Sequence, residues 1–285
     1  MDMSKRLFIN VIPGSTFLDK LSGTTKVRLF FALIILLIVT WDFRILFPVL
    51  LLGAIGLVSI KPNWKLIGGL LSFIVVVNLF NLFLIWVVTP DYGNNIVGGS
   101  TVLLTFTSRY IITAETMWYF MIRFIKFLAS FIVSLTFIQA ITPSEIAAGL
   151  YSIKVPYKIA TIVSIAFRYI PDISRDFSDI KISMQARGME LDSKRTGLFT
   201  RLKQYILILM PLIIISFERV GNIANAMDLR GYGKGKTRTY YAEHDETPND
   251  RRMKVFYILI YLSILAVIFC RIVFPPEFQV WAPWI

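Results

Sequence analysis

LIGGLLSFIVVVNLFNLFLIWVV, from Leu66 to Val88, carries no charged side chain and is apolar at nearly every position. A helix of that length crosses the roughly 30 Å hydrocarbon core of a bilayer, so the stretch reads as a transmembrane helix. Four more apolar runs flank it, at Leu29–Trp41, Ile45–Ile60, Trp118–Ala140 and Val255–Phe274. The first two are short. Asp42, Phe43 and Arg44 read as a tight turn between them, and Lys61, Pro62, Asn63 and Trp64 as a break before the quoted run.

Composition agrees with a lipid solvent. A mean hydropathy of +0.66 is too apolar for a soluble domain of this size. The single cysteine, Cys270, lies in an apolar run, which excludes a disulfide framework and a thiolate metal site. The first 28 residues hold only a short apolar stretch around Leu7 to Ile12, too short for a cleavable signal.

A net charge of +12 would suggest nucleic acid or an anionic surface in a soluble protein. Here its distribution matters more, because Lys and Arg collect on the inner side of a membrane protein. Residues 1–28 hold five, the 61–65 turn two and the 143–254 segment eighteen, whereas 42–44 and 89–116 hold one each, Arg44 and Arg109. The N-terminus is therefore expected inside and the C-terminus outside. Five spans give the same parity.

The chain accordingly divides into an inner N-terminal segment (1–28), transmembrane helices 1 to 4 (29–142), a cytoplasmic helical domain (143–233), a basic flexible loop (234–254), and a last transmembrane helix with an outer tail (255–285). The outer loop from Thr89 to Thr116, with Gly93, Gly98 and Gly99, is expected to hold short strands or turns. Arg123 and Lys126, near the outer end of the fourth span, either snorkel to the interface or meet a partner subunit.

In the cytoplasmic segment, Ile173, Phe177, Ile180 and Met184 form one apolar stripe, with Arg175, Asp176, Asp179, Lys181 and Ser183 on the other face. That helix stops at Gln185, Ala186, Arg187 and Gly188. A second helical stretch runs from about Phe199 to Leu229 with a kink or break at Pro211. Its apolar middle, Ile206 to Phe217, is short for a span, and is read as buried against other helices and the membrane face, with a re-entrant segment as the alternative. It stops at Leu229, Arg230 and Gly231. Arginine in a last turn and glycine just beyond are common helix stops, yet two such ends on adjacent helices suit insertion into grooves of another protein.

Other chemistries fit poorly. Gly231, Gly233, Gly235, Lys236 and Thr237 miss the spacing of a phosphate-binding loop and follow no strand. His244, the only histidine, sits between Glu243 and Asp245 in a polar loop and lacks His or Cys partners for a metal. The last four spans carry no acid of the kind a proton-coupled carrier buries.

Ala166, Phe167, Arg168, Tyr169, Ile170 and Pro171, leading into Gln185 to Gly188, together with Ala226 to Gly231, resemble the transmembrane T component of energy-coupling factor transporters, a branch of the ABC transporters. Thr142, Pro143 and Glu145, and upstream Pro13, Gly14, Ser15, Leu18, Asp19, Lys20, Leu21 and Lys26, extend the resemblance over most of the chain. Asp19 stands where histidine is common, Gly23 and Thr24 replace a typical Asp-Pro, and Leu229 stands where alanine is usual. The resemblance implies an all-α polytopic membrane protein with long amphipathic coupling helices. Ala186, Arg187, Gly188, Leu229, Arg230 and Gly231 would dock two cytoplasmic ATPase subunits, and other helices would hold a substrate-binding membrane subunit for vitamin or metal-ion uptake. It implies no enzymatic activity and no cofactor in this chain, ATP being bound by the partners; membrane lipid is a contact and nucleic acid is not. The alternatives are a conventional ABC importer permease, suggested by Glu145, Ala147, Ala148, Gly149 and Pro156, and a membrane protein with its own enzymatic activity.

Overall fold

The computed structural model describes residues 16–105, 110–189, 197–235 and 247–273, together with Val280 and Pro283. Helices α1 (Gly23–Val39), α2 (Phe43–Ser59) and α3 (Trp64–Val88) are followed by a short α4 (Tyr92–Val97) and strands β1 (Val102–Thr105) and β2 (Ile111–Thr113). Then come α5 (Ala114–Ala140), α6 (Pro143–Ser152), α7 (Tyr157–Ala186), α8 (Leu198–Leu229) and α9 (Pro248–Val273). Helices α3, α5, α8 and α9 are long and apolar enough to cross a membrane, and α2 is a shorter apolar helix. The chain is an all-α polytopic membrane protein.

Local chemistry sets the breaks. The Asp42 carboxylate accepts from the Arg44 N–H at 2.9 Å and the Asn63 side chain from the Lys65 N–H at 3.3 Å, so both residues cap the helices that follow them. The Thr89–Thr116 loop holds a hairpin, β1 antiparallel to β2, as the expected strands, and also α4, which the glycine-rich sequence did not announce. Pro171 and Pro211 interrupt neither α7 nor α8. Helix α9 starts at Pro248, ahead of the apolar run at Val255, because Thr247 and Asp250 form a capping box and proline is accommodated at the first helical position.

The chain forms two compact units, Met1–Gly149 with Ala242–Ile285, and Leu150–Tyr241. In the first, α5 packs against α1, α2, α3 and α4, and α9 lies on α1. Ala32, Leu37, Leu46, Tyr119, Ile122 and Ile260 belong to its core, and Leu57, Ile67, Ile132 and Leu135 form a second cluster. Among lipid-embedded helices such contacts gain packing rather than desolvation, so polar ties carry much of the register.

Several such ties are buried. Lys26 Nζ donates to Glu145 Oε1 at 2.8 Å and to the Asp19 carbonyl at 2.9 Å, while Glu145 Oε2 accepts from the Thr142 N–H. The backbones close in around this pair: a Cβ on Gly23 would stand 2.7 Å from the Glu145 Cβ, so only glycine fits there. Asp250 accepts from the Ser22 N–H at 2.8 Å and from Thr247 Oγ1 at 2.6 Å, joining the starts of α1 and α9. Glu115 accepts from the Thr101 hydroxyl at 2.6 Å and ties the hairpin region to α5.

Arg123 and Lys126 are also used within the chain. Lys126 Nζ donates to the carbonyls of Ile38 and Thr40, at 3.0 and 3.2 Å, and lies 3.9 Å from the centroid of the Trp41 ring. It thus caps the exposed carbonyl end of α1. Arg123 donates to the Tyr119 hydroxyl at 2.9 Å and to Asn81. Neither contact requires a second subunit.

Candidate functional site

The second unit contains α7 and α8, and its candidate residues lie where these helices stop. The stripe on α7 follows its spacing in part: Phe177, Ile180 and Met184 are half-buried and Arg175, Asp179 and Ser183 exposed, but Ile173 is exposed and Lys181 half-buried. Asp176 departs from the pattern too. It is half-buried and accepts from Arg219 Nη2 on α8 at 2.6 Å.

Both helices end in the same hydrogen-bond pattern. Gly188 takes φ +92°, its N–H donates to the Gln185 carbonyl at 3.0 Å, and the Met189 N–H donates back to the Met184 carbonyl at 3.1 Å. Gly231 takes φ +71°, with its N–H on the Asp228 carbonyl at 2.9 Å and the Tyr232 N–H on the Met227 carbonyl at 2.9 Å. Each is a Schellman motif, in which a left-handed residue just past the helix turns the chain back onto the last carbonyls. Glycine is there because a Cβ at positive φ is strained.

The motif fixes the residue before each glycine as the helix cap. Those residues are Arg187 and Arg230, and both side chains are exposed. Neither guanidinium has a hydrogen-bond or ion-pair partner among the described residues. Ala186 and Leu229 occupy the last helical position of α7 and α8, and Leu229 is 90% exposed. Each end therefore offers a small or apolar side chain, a forked donor and a glycine turn on one solvent-facing tip.

Arginine at such a tip stabilises its helix through the dipole, but only by a few tenths to about 1 kcal/mol when exposed. A five-donor planar fork without an acceptor suits a carboxylate or carbonyl supplied from outside. No group of three or more His, Cys, Asp or Glu side chains among the described residues is placed to hold a metal. His244, Lys236 and Thr237 lie outside the described residues, as do Arg109 and the Pro13, Gly14 and Ser15 stretch.

The structure thus brings the predicted residues into two separate but like-built ends, not one pocket. Sequence reasoning placed both and missed the Asp176–Arg219 contact. A signal for it was present: Arg219 follows Asp176 by 43 positions, the same interval that separates Arg187 from Arg230.

The chain is thus a polytopic helical membrane protein with two matched, solvent-facing arginine tips. The family profile described as CbiQ, cobalt transport protein, matches residues 14–241. The energy-coupling factor transporter transmembrane protein EcfT of Limosilactobacillus fermentum is 31% identical over 253 residues, 84% of this chain and 89% of that protein. EcfT of Lactococcus lactis subsp. cremoris is 27% identical over 286 residues, 95% and 100% of the two chains, and EcfT of Bacillus subtilis 26% over 283 residues, 90% and 96%. The chain belongs to the CbiQ/EcfT family of transmembrane components of energy-coupling factor transporters. It is a membrane subunit of a transporter assembled with other subunits.

Proposed function

We propose that this chain transmits the closure of two cytoplasmic ATPase subunits to a substrate-binding membrane subunit, and so drives micronutrient uptake. The observation that carries the reading is the pair of Schellman-capped helix ends, each presenting an exposed arginine. Arg187 and Arg230 are the transmission contacts, one in a groove of each ATPase, with Ala186, Gly188, Leu229 and Gly231 permitting close approach. ATP is bound and hydrolysed by the partners, and this chain contributes no catalytic group or cofactor.

The unpartnered apolar surface of the second unit supports the rest of the assembly. Ile162 and Ile182 on α7, and Phe199, Met210, Phe217 and Val220 on α8, are each at least 60% exposed. Water alone is a poor neighbour for such a surface. The inner membrane face and the substrate-binding subunit cover it. Helix α8 has the length of a span, yet carries Arg219 in an ion pair with α7, which favours a position along the membrane rather than across it. The distribution of Lys and Arg supports an N-terminus inside and a C-terminus outside.

The test is co-expression with the ATPase pair. In the Arg187→Ala/Arg230→Ala double variant, recovery of the ATPases with the tagged chain falls at least tenfold, and uptake of labelled cobalt(II) and labelled B vitamins falls with it, while the amount of chain in the membrane stays unchanged. Full recovery of ATPases with normal uptake refutes the docking role.

A further inference from the structure

The interval of 43 residues that separates Arg187 from Arg230 also separates the two side chains that meet between the helices, Asp176 and Arg219. Laid over one another at that interval, α7 and α8 also match Ile180 with Ile223 and Met184 with Met227, as well as Gly188 with Gly231. A residue that touches its own counterpart lies on the symmetry axis relating the two copies. Asp176 and Arg219 are such counterparts and meet at 2.6 Å, as two residues beside a local two-fold axis would, with eleven residues from the contact to the arginine on either helix.

Direction follows from a second contact. The Tyr157 ring at the start of α7 lies 5.9 Å from the Tyr232 ring just past the end of α8, so the helices run antiparallel. At about 1.5 Å per residue, each arginine stands about 16 Å from the ion pair, and the two point opposite ways.

The chemistry of the contact suits rotation. Only Nη2 of Arg219 meets Asp176, through one oxygen; Nη1 is buried and has no hydrogen-bond partner. A bidentate pair would fix the angle between guanidinium and carboxylate, whereas a one-point pair leaves it free. The Tyr169 ring, 5.8 Å from Arg219 Cζ, gives the guanidinium a flat face to rest on. Opposite charges at equivalent positions also make α7 pair with α8 and not with a second α7.

We propose that Asp176 and Arg219 are positioning residues that form a pivot on this local two-fold axis, holding the arginine-bearing tips as equal and opposed arms. The proposal rests on the docking reading above, since it assigns the arms their load. A pair of ATPases closing on each other would turn both arms about one point, by equal amounts.

Spin labels at two equivalent exposed positions, Gln185→Cys and Asp228→Cys in a Cys270→Ser background, report the distance between the tips in the complex with its ATPases. The original pair gives one narrow distribution that shifts on adding ATP with vanadate. Asp176→Asn and Arg219→Gln are each expected to at least double its width and abolish the shift, while the ATPases still co-purify. The exchanged variant Asp176→Arg/Arg219→Asp restores both. Narrow, shifting distributions in the single variants overturn the pivot, and so does failure of the exchange to rescue them. Loss of the docking reading shows separately, as ATPase recovery that is indifferent to Arg187 and Arg230; the label width in the isolated chain then still tests the pair.

Discussion

Replacing Lys26 by methionine isolates the Glu145 carboxylate in the protein. The two side chains are only 4% and 7% exposed and meet at 2.8 Å. At that separation their attraction is about 6 kcal/mol for an effective dielectric of about 20, and desolvating two ions costs several kcal/mol each, so the intact pair contributes little net stability. Removing one partner is another matter. Glu145 keeps the Thr142 N–H and loses its counter-charge, which costs about 3–5 kcal/mol. Replacing both, as Lys26→Met/Glu145→Met, removes the penalty with the charge and returns stability to within about 1–2 kcal/mol of the original, provided the methionines pack. The assay is equilibrium unfolding of the purified chain by SDS from a mild detergent, followed by tryptophan fluorescence. The diagnostic quantity is the coupling between the two sites, expected at 2 kcal/mol or more. A Lys26→Met variant within about 1 kcal/mol of the original would refute the picture of a sealed pair.

Two further outcomes follow from single residues. Gly188→Ala and Gly231→Ala each force a Cβ into positive φ, at a cost of about 1 kcal/mol, and hydrogen exchange should speed up in the last turn of the affected helix alone. Asp250→Ala removes the acceptor of the Ser22 N–H and the Thr247 hydroxyl together, and should destabilise the chain by about 1–3 kcal/mol in the same SDS titration, with Asp250→Asn recovering part of the loss.

What was legible in the sequence was local. The run from Leu66 to Val88 identifies a membrane helix because length and apolarity suffice, and the ends at Gly188 and Gly231 were readable because a glycine stop is written in consecutive residues. Long-range pairing was not. Charge counting takes Lys26 for a free inner-flank cation, whereas it is spent on Glu145, 119 positions away. Lys126 invites a partner subunit until α1 is seen to end beside it. At Pro248 the sequence did hold the answer, since Thr247 and Asp250 stand at capping-box spacing, but a proline beside Asn249 reads equally well as a turn. Asp176 and Arg219 sit in between: their meeting is tertiary, yet a repeat of interval 43 points to it.

The glycine turns at the two helix ends have a mechanical consequence. Because the Met184, Gln185, Met227 and Asp228 carbonyls are already satisfied by the chain's own N–H groups, a partner receiving either tip need not supply donors to them. The grip can then rest on side chains, chiefly one guanidinium fork, and the backbone arrives as a finished, self-contained knob. In the proposed docking, such a joint would roll in its socket through a transport cycle without tearing any main-chain bond.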